Sequence, residues 1–143
     1  MLEIDKRGSP LPRLAKALKN LRSLEIIIEH LPFRELSPNS REHWAVKARA
    51  VRAQREEAGW LAKLQWGNQK PMKHARISYQ FIVMDNRRRD TLNLENACKS
   101  MVDGIVDAGV LTDDDSKHLE VGHITLHQGK ADQTIITIQE VIG

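Results

Sequence analysis

The stretch that most constrains the fold is residues 74–85, where apolar and polar side chains alternate. The apolar ones recur every second residue: Ile77, Tyr79, Phe81 and Val83. A period of two is that of a β-strand with one buried face. On either side, residues 41–64 and 93–108 carry apolar residues at helical spacing. A strand between two amphipathic helices predicts an α+β fold in which helices cover a sheet.

Both predicted helices have start or stop residues in the sequence. Ser40 is placed to cap the first helix, which we predict from about residue 41 to residue 64. Its apolar stripe is Trp44, Ala48, Val51, Ala58 and Leu61. The predicted buried face of the second helix, residues 93–108, is Leu94, Cys98, Met101 and Ile105. Gly109 follows as a helix stop.

The rest of the chain predicts three more strands and a short helix. Residues 24–29 are β-branched and compact, typical of a strand. Residues 118–127 and 134–141 read as a hairpin joined by a turn at 128–130. A short N-terminal helix is predicted from the spacing of Leu11, Leu14, Leu18 and Leu21. The order is (α)βαβαββ: an extension, residues 1–22, precedes one domain, residues 23–143. We expect a mixed sheet of about four strands covered by two main helices.

Size and composition indicate one globular domain in the cytoplasm. The 143 residues are 41% hydrophobic and 29% charged, a composition outside the disordered range. No apolar run approaches the ~20 residues of a membrane span, and no secretory signal is recognised. We therefore expect no membrane association. The single cysteine, Cys98, cannot form an internal disulfide, which favours a reducing compartment.

Charge is divided unevenly along the chain. Residues 1–89 hold 19 Lys and Arg against 9 Asp and Glu, whereas residues 90–143 hold 3 against 10. This division suggests a surface that binds a polyanion beside an acidic cluster. A solvated basic face and a solvated acidic face would give the same division.

Carboxylates at the ends of adjacent elements suggest a divalent-cation site. Asp90 lies between a predicted strand and a predicted helix, and Asp113, Asp114 and Asp115 follow that helix. Mg²⁺ takes hard oxygen ligands, often one or two carboxylates with water and phosphate. The alternative is that Asp90 is only a helix cap and the aspartate run only a solvated turn.

Lys99 shares a predicted helix face with Glu95 and Asp103, because the three are spaced four residues apart. Such a lysine could bind phosphate or stabilise developing negative charge. The alternative is an exposed ladder of ion pairs. The six histidines have no accompanying cysteine pair and do not form a zinc motif. No phosphate-binding Gly-rich loop or Gly-x-Ser-x-Gly motif is present, so we expect no small-molecule cofactor.

Two motifs resemble those of the RusA family of Holliday-junction resolvases of phage and prophage origin. The first is Leu-Ser-Pro-Asn-Ser-Arg-x-His-Trp-x-x-Lys-Ala-Arg, residues 36–49. The second begins Arg-Arg-Arg-Asp-Thr-Leu-Asn-Leu at residues 87–94. It continues through Lys99, Asp103-Gly104, Asp-Ala-Gly-Val-Leu at 107–111 and the aspartates from 113. The resemblance covers about residues 24–141, and the two motifs stand in the family's order.

The resemblance implies a homodimeric, structure-selective endodeoxyribonuclease that binds four-way DNA junctions and nicks them symmetrically with Mg²⁺ or Mn²⁺. Asp90, Asp113 and Asp114 match the family's acidic metal ligands, and Lys99 matches its functional lysine. Asp103 matches a further family aspartate. The residues we expect to bind DNA are Arg41, His43, Lys47, Arg49, Arg52, Arg87, Arg88 and Arg89.

One position departs from the family pattern. The family commonly has Asp-x-Asp-Asn-Leu, whereas this chain has Leu92 at the second aspartate. A leucine cannot bind a metal, and Glu95 or Asp115 are the nearby candidates to replace it. Two further interpretations stay open: a dimer that binds branched DNA without cutting it, and a basic scaffold protein whose aspartates are only caps.

Overall fold

The computed structural model describes Lys6 and residues 20–142. It forms an α+β domain with a four-stranded mixed sheet, which confirms the predicted fold class. The helix predicted around Leu11, Leu14 and Leu18 lies outside the described residues. The division into an extension and a domain stays a prediction, although the first strand begins at Ser23.

The order of elements follows the predicted one. The strands are β1 (Ser23–Ile28), β2 (Ala75–Val83), β3 (Leu119–Gln128) and β4 (Gln133–Glu140). The α-helices are α1 (Trp44–Trp66), α2 (Thr91–Asn96) and α3 (Lys99–Asp107), and a 3-10 turn spans Arg34–Leu36. The predicted second helix is thus two helices, divided at Ala97 and Cys98. Gly109 has a φ of 85° after α3, as its predicted role requires.

The core lies on one face of the sheet, beneath α1 and α3. Alternate residues of β1 and β2 are buried there, as predicted for residues 74–85. Met101 and Ile105 of α3 and Ala58 and Ala62 of α1 are buried against them. No helix in the part of the chain that the structure describes is long and apolar enough to cross a membrane.

The predicted hairpin is wrong, because β3 and β4 do not pair with each other. The sheet order is β1-β4-β2-β3, with β4 antiparallel to β1 and β2, and β3 parallel to β2. The connection between β3 and β4 passes around the end of β2. There, Gly129 N–H donates to the Val83 carbonyl at 2.8 Å and Met84 N–H donates to Asp132 Oδ1 at 3.0 Å. β2 therefore lies between β3 and β4, whereas a hairpin would have placed these two strands side by side.

The first helix starts later than predicted, and only the later part of its predicted stripe, Ala58 and Leu61, packs against the core. It begins at Trp44, and its cap is His43, whose Nδ1 accepts from Ala45 N–H at 3.2 Å. Ser40 instead accepts from Glu42 N–H, within the preceding turn. The buried residues are Ala50, Gln54, Ala58, Ala62 and Trp66. Trp44, Ala48 and Val51 are exposed because the first turns of α1 extend beyond the core.

Helices α1 and α3 cross at two glycines. A Cβ atom on Gly104 would lie 2.2 Å from the Arg55 carbonyl oxygen, and one on Gly59 would lie 3.0 Å from the Gly104 carbonyl oxygen. Both contacts are with backbone, which cannot move aside as a side chain would. The crossing distance therefore depends on the absence of a side chain, above all at Gly104.

Gly104→Ala is expected to destabilise the fold by about 1–3 kcal/mol, as overpacking does. The higher helix propensity of alanine, about 1 kcal/mol, offsets part of this cost. Gly59→Ala is the matched control with a milder contact and a smaller loss. Urea unfolding followed by circular dichroism measures both variants. Equal stability of wild type and Gly104→Ala would contradict the close crossing.

Candidate functional site

A groove of about 950 Å³ lies between the segment after β1 and the start of α2. One wall consists of residues 31–35, 37 and 39–42. The other contains Asp85, Arg87, Arg89, Asp90, Asn93, Leu94, Ala97 and Asp132. The two motifs on which the resemblance rests are far apart in sequence, and both line this groove.

Gln54 of α1 connects the two walls from behind. Its side chain is fully buried. Its Oε1 accepts from Phe33 N–H at 2.7 Å, and its Nε2 donates to the Ala97 carbonyl at 3.0 Å and to Ser100 Oγ at 2.8 Å. A buried polar group that loses its partner costs about 1–3 kcal/mol. One side chain thus fixes the distance between Phe33 on one wall and Ala97 on the other.

Asp90 is the N-cap of α2 and also lines the groove. Its Oδ1 accepts from Leu92 N–H at 2.9 Å, so the capping interpretation of Asp90 is correct. Its other oxygen accepts no hydrogen bond from residues 20–142, and the residue is exposed. A capping role for one oxygen therefore leaves the second oxygen available to a ligand in the groove.

Lys99 lies between two of the candidate aspartates. Its Nζ donates to Asp103 Oδ1 at 2.7 Å and also to Asp114 Oδ2. Asp113 joins this group because its Oδ1 accepts from Asp114 N–H at 2.7 Å. We call Lys99, Asp103, Asp113 and Asp114 the Lys99 cluster. Glu95 belongs to α2 rather than α3 and makes no ion pair with Lys99.

In the Lys99 cluster, the lysine and its aspartate partners favour each other's charged forms. Hydrogen bonds to Asp103 and Asp114 raise the pKa of the Lys99 ammonium, and the bond from Lys99 lowers the pKa of Asp114. Burial raises the pKa of the nearby Tyr79 phenol, and the negative charges of Glu95 and Asp114 raise it further.

The three predicted metal ligands lie in two different parts of the site. Asp90 is in the groove, whereas Asp113 and Asp114 are in the Lys99 cluster. Among residues 20–142, no three His, Cys, Asp or Glu side chains form a group that could hold a metal ion. Carboxylate oxygens are nonetheless donors of the kind that Mg²⁺ takes, so the chemistry of the three side chains fits such an ion. Asp115 is bound to His118, whose Nδ1 lies 2.6 Å from Asp115 Oδ1.

The predicted DNA-binding residues divide into engaged and unpaired ones. Arg89 makes two hydrogen bonds to Asp85, at 2.6 and 3.1 Å, and lowers the pKa of that carboxyl to about 2. Lys47 donates to the Ser40 carbonyl at 3.1 Å, and His43 caps α1. The cations that make no ion pair within the described residues, and are exposed, are Arg41, Arg49, Arg52, Arg87 and Arg88. These five can meet a polyanion without breaking an internal contact.

No protein-family model matches this chain. No curated protein matches it either.

Two features of the site were missed in the sequence, the buried amide of Gln54 and the pairing of Arg89 with Asp85. Gln54 has a detectable signal, since it lies four residues from Ala50 and Ala58 in a run that continues to Ala62 and Trp66. A polar residue inside an i, i+4 apolar row is expected to be buried and hydrogen-bonded. The Asp85–Arg89 pair lacks such a signal, because both residues lie in an irregular segment.

Asp114→Asn is expected to lower stability at neutral pH but not at low pH. The pKa of Asp114 is lower in the folded chain than in the unfolded chain, where it is near 3.9. Its stabilisation is therefore complete above about pH 4 and is lost as pH falls through the folded pKa. With Lys99 66% exposed, the difference should not exceed about 1 kcal/mol.

Urea unfolding of wild type and Asp114→Asn at pH 6.5 and at pH 2.5 measures this difference. The control is Lys99→Met combined with Asp114→Asn, for which the loss should be smaller than the sum of the two single losses. A loss that is the same at both pH values would contradict the ion pair.

Proposed function

We propose that this protein is a structure-selective endodeoxyribonuclease of the RusA type, which binds four-way DNA junctions and nicks them. The observation that carries the proposal is that the Leu-Ser-Pro-Asn-Ser-Arg motif and the Arg-Arg-Arg-Asp motif line the same groove. The groove presents Arg41 from one wall, and Arg87 and the Asp90 carboxylate from the other. Such a combination suits a phosphodiester held by cations next to an acidic group.

DNA is held through its backbone in this proposal. The exposed, unpaired cations Arg41, Arg49, Arg52, Arg87 and Arg88 provide the phosphate contacts. Contacts of this kind give affinity and orientation with little sequence readout, and they weaken as salt is raised. Arg89 is assigned a different role, since its bond to Asp85 shapes the segment that presents Arg87 and Arg88.

Asp90, Asp113 and Asp114 would hold Mg²⁺ or Mn²⁺. The ion would supply charge stabilisation at the phosphate and activate water. Lys99 contributes a permanent positive charge, because its two carboxylate partners keep it protonated. That charge can be shared with a phosphate oxygen once the cluster binds DNA.

The proposal includes a homodimer in the cytoplasm. A four-way junction has two scissile strands related by approximate two-fold symmetry, and a C₂ dimer places two sites in the matching arrangement. The open face of the sheet offers apolar surface for association, including Ile27, which is exposed, and Ile135. The reduced thiol of Cys98 suits the cytoplasm.

Asp90→Asn is expected to abolish junction cleavage and leave junction binding equal or tighter. Asparagine is as good an N-cap as aspartate, so α2 is retained while the charge is removed. The assay is cleavage of a supercoiled cruciform plasmid in Mg²⁺, in which paired nicks by a dimer release linear DNA. Asp115→Asn is the matched control and should keep most activity, since Asp115 is bound to His118. Full cleavage by Asp90→Asn would overturn the assignment of Asp90.

A second candidate function is a protein that binds junctions without cutting them. Two observations favour it: Leu92 stands where the family has an aspartate, and the Lys99 ammonium already neutralises Asp114. Such a protein would keep the groove and its cations. It would bind a junction in Mg²⁺ and leave every strand intact.

Leu92→Asp discriminates the two candidates. Leu92 is 61% exposed and lies in the first turn of α2, where a negative charge is favourable. The substitution should therefore leave stability within about 0.5 kcal/mol of wild type. It should also raise Mn²⁺ affinity and the cleavage rate if the groove binds the metal. Titration with Mn²⁺ followed by electron paramagnetic resonance gives the affinity, and Leu92→Asn is the uncharged control. Equal Mn²⁺ affinity in Leu92→Asp and Leu92→Asn would show that position 92 is not part of a metal site.

A further inference from the structure

Trp60 is a large apolar side chain exposed on the outer face of α1. It is 67% exposed, although a buried indole would remove far more apolar surface from water. Trp60 lines a recess of about 660 Å³ between α1 and the end of α3. This recess is separate from the groove: the residues that line the one do not line the other. We call it the Trp60 recess.

The side chains around Trp60 are mainly cationic. Arg49, Arg52, Glu56, Trp60 and Lys63 follow one another at intervals of three or four residues, so all five share one face of α1. Arg49 and Arg52 make no ion pair within residues 20–142, and Lys63 bonds only to the neutral oxygens of Gly67 and Asn68. Glu56 is the one carboxylate on this face between Arg49 and Lys63.

An ion pair forms the inner side of the Trp60 recess. Arg55 makes two hydrogen bonds to Asp107 of α3, at 2.6 and 2.9 Å. This pair joins α1 to α3 next to the glycine crossing, so the backbone beneath Trp60 is held in place. Arg55 is therefore committed to the fold, and Arg52 and Lys63 are the recess cations available to a ligand.

We propose that the Trp60 recess binds an unpaired nucleotide of the DNA substrate, with the base stacked on the indole and the phosphates at Arg52 and Lys63. This inference rests on the proposed function and adds to it a preference for junctions that carry unpaired bases. Aromatic side chains in a cationic groove are the usual way in which proteins bind single strands, because every base has a face that stacks. A paired base has both faces covered and offers Trp60 nothing to stack on.

A second copy of this chain is the competing occupant, and the charges oppose it. In a two-fold interface the same patch meets itself. Arg49, Arg52 and Lys63 of one copy would then face the same cations of the other, with Glu56 as the counter-charge. A polyanion meets the same three cations with attraction.

The test compares two four-way junctions, one fully paired and one with two unpaired thymidines at the crossover. Binding is measured by fluorescence anisotropy in EDTA, so that no strand is cut. Wild type should bind the second junction more tightly. Trp60→Leu, which keeps an apolar side chain but lacks a π face, should lose about 5- to 100-fold on that junction alone. Trp60→Phe should retain most of the affinity, and Leu64→Ala is the exposed control on the same helix.

The outcomes separate this inference from the proposed function. Tight binding of the paired junction with no gain from unpaired thymidines overturns the inference and leaves the proposed function standing. Failure to bind either junction overturns the proposed function. In that case, loss of oligothymidine binding in Trp60→Leu still supports the recess. A fall in mass by light scattering on going from wild type to Trp60→Leu would assign the recess to a second copy and overturn the inference. Unchanged urea midpoints show that the variants are folded.

Discussion

The buried amide of Gln54 is the interaction on which the shape of the groove depends. Gln54 bonds one backbone group at each of two helix ends, the N–H of Phe33 before the 3-10 turn and the carbonyl of Ala97 after α2, and helix ends leave such groups without a helical partner. An amide is suited to this task because it both accepts and donates. The Gln54 amide oxygen accepts from the backbone N–H of Phe33, and the amide nitrogen donates to the backbone carbonyl of Ala97. An apolar residue of the same size would leave both groups buried without partners, so the two walls would separate to reach water.

Ion pairs within the fold neutralise part of the unevenly distributed charge of the sequence. Arg22 pairs with Glu140, Arg55 with Asp107 and Arg76 with Glu120. Each pair joins a cation of the basic half to a carboxylate of the acidic half. These pairs hold the first helix and strands against the last ones. The net charge of the basic half therefore overstates the free positive surface. Among residues 20–89, exposed cations without an ion pair remain on α1, in the segment before α2, and at Arg34, Arg41, Lys70 and Lys73.

The spacing of apolar residues predicts the buried face correctly for β2 but only in part for α1. Residues 74–85 alternate because β2 has helices on one face, and the prediction for them is correct. The stripe predicted for α1 is correct at Ala58 and wrong at Trp44 and Val51, which are apolar but exposed. Most of the buried face is a row of alanines around Gln54. A hydrophobic pattern gives alanine and glutamine little weight, so it does not predict this face. Burial of a helix depends on what lies opposite it, and the local sequence does not contain that information.

The sequence indicates candidate residues for the site but not how they are arranged. The sequence predicts that Asp90 and Lys99 belong to the site, but it does not predict that Lys99 binds Asp114 while Asp90 lies in the groove. The strand pairing was missed for a related reason. Two strands joined by a short connection usually pair, and nothing in residues 128–132 indicates that another strand lies between them.

The position of β2 has a consequence for how the chain folds. Within residues 20–142, β1 is hydrogen-bonded only to β4, so Ser23 has to find Gln139 before the first strand gains this partner. β2 has to take its place between two strands that follow it in the sequence. Few of the sheet contacts are local, and a high contact order makes folding slow. During synthesis, α1 and β2 emerge from the ribosome well before β4 exists. Until then the apolar rows of β1 and β2 stay without their final partners, which makes the nascent chain a substrate for chaperones.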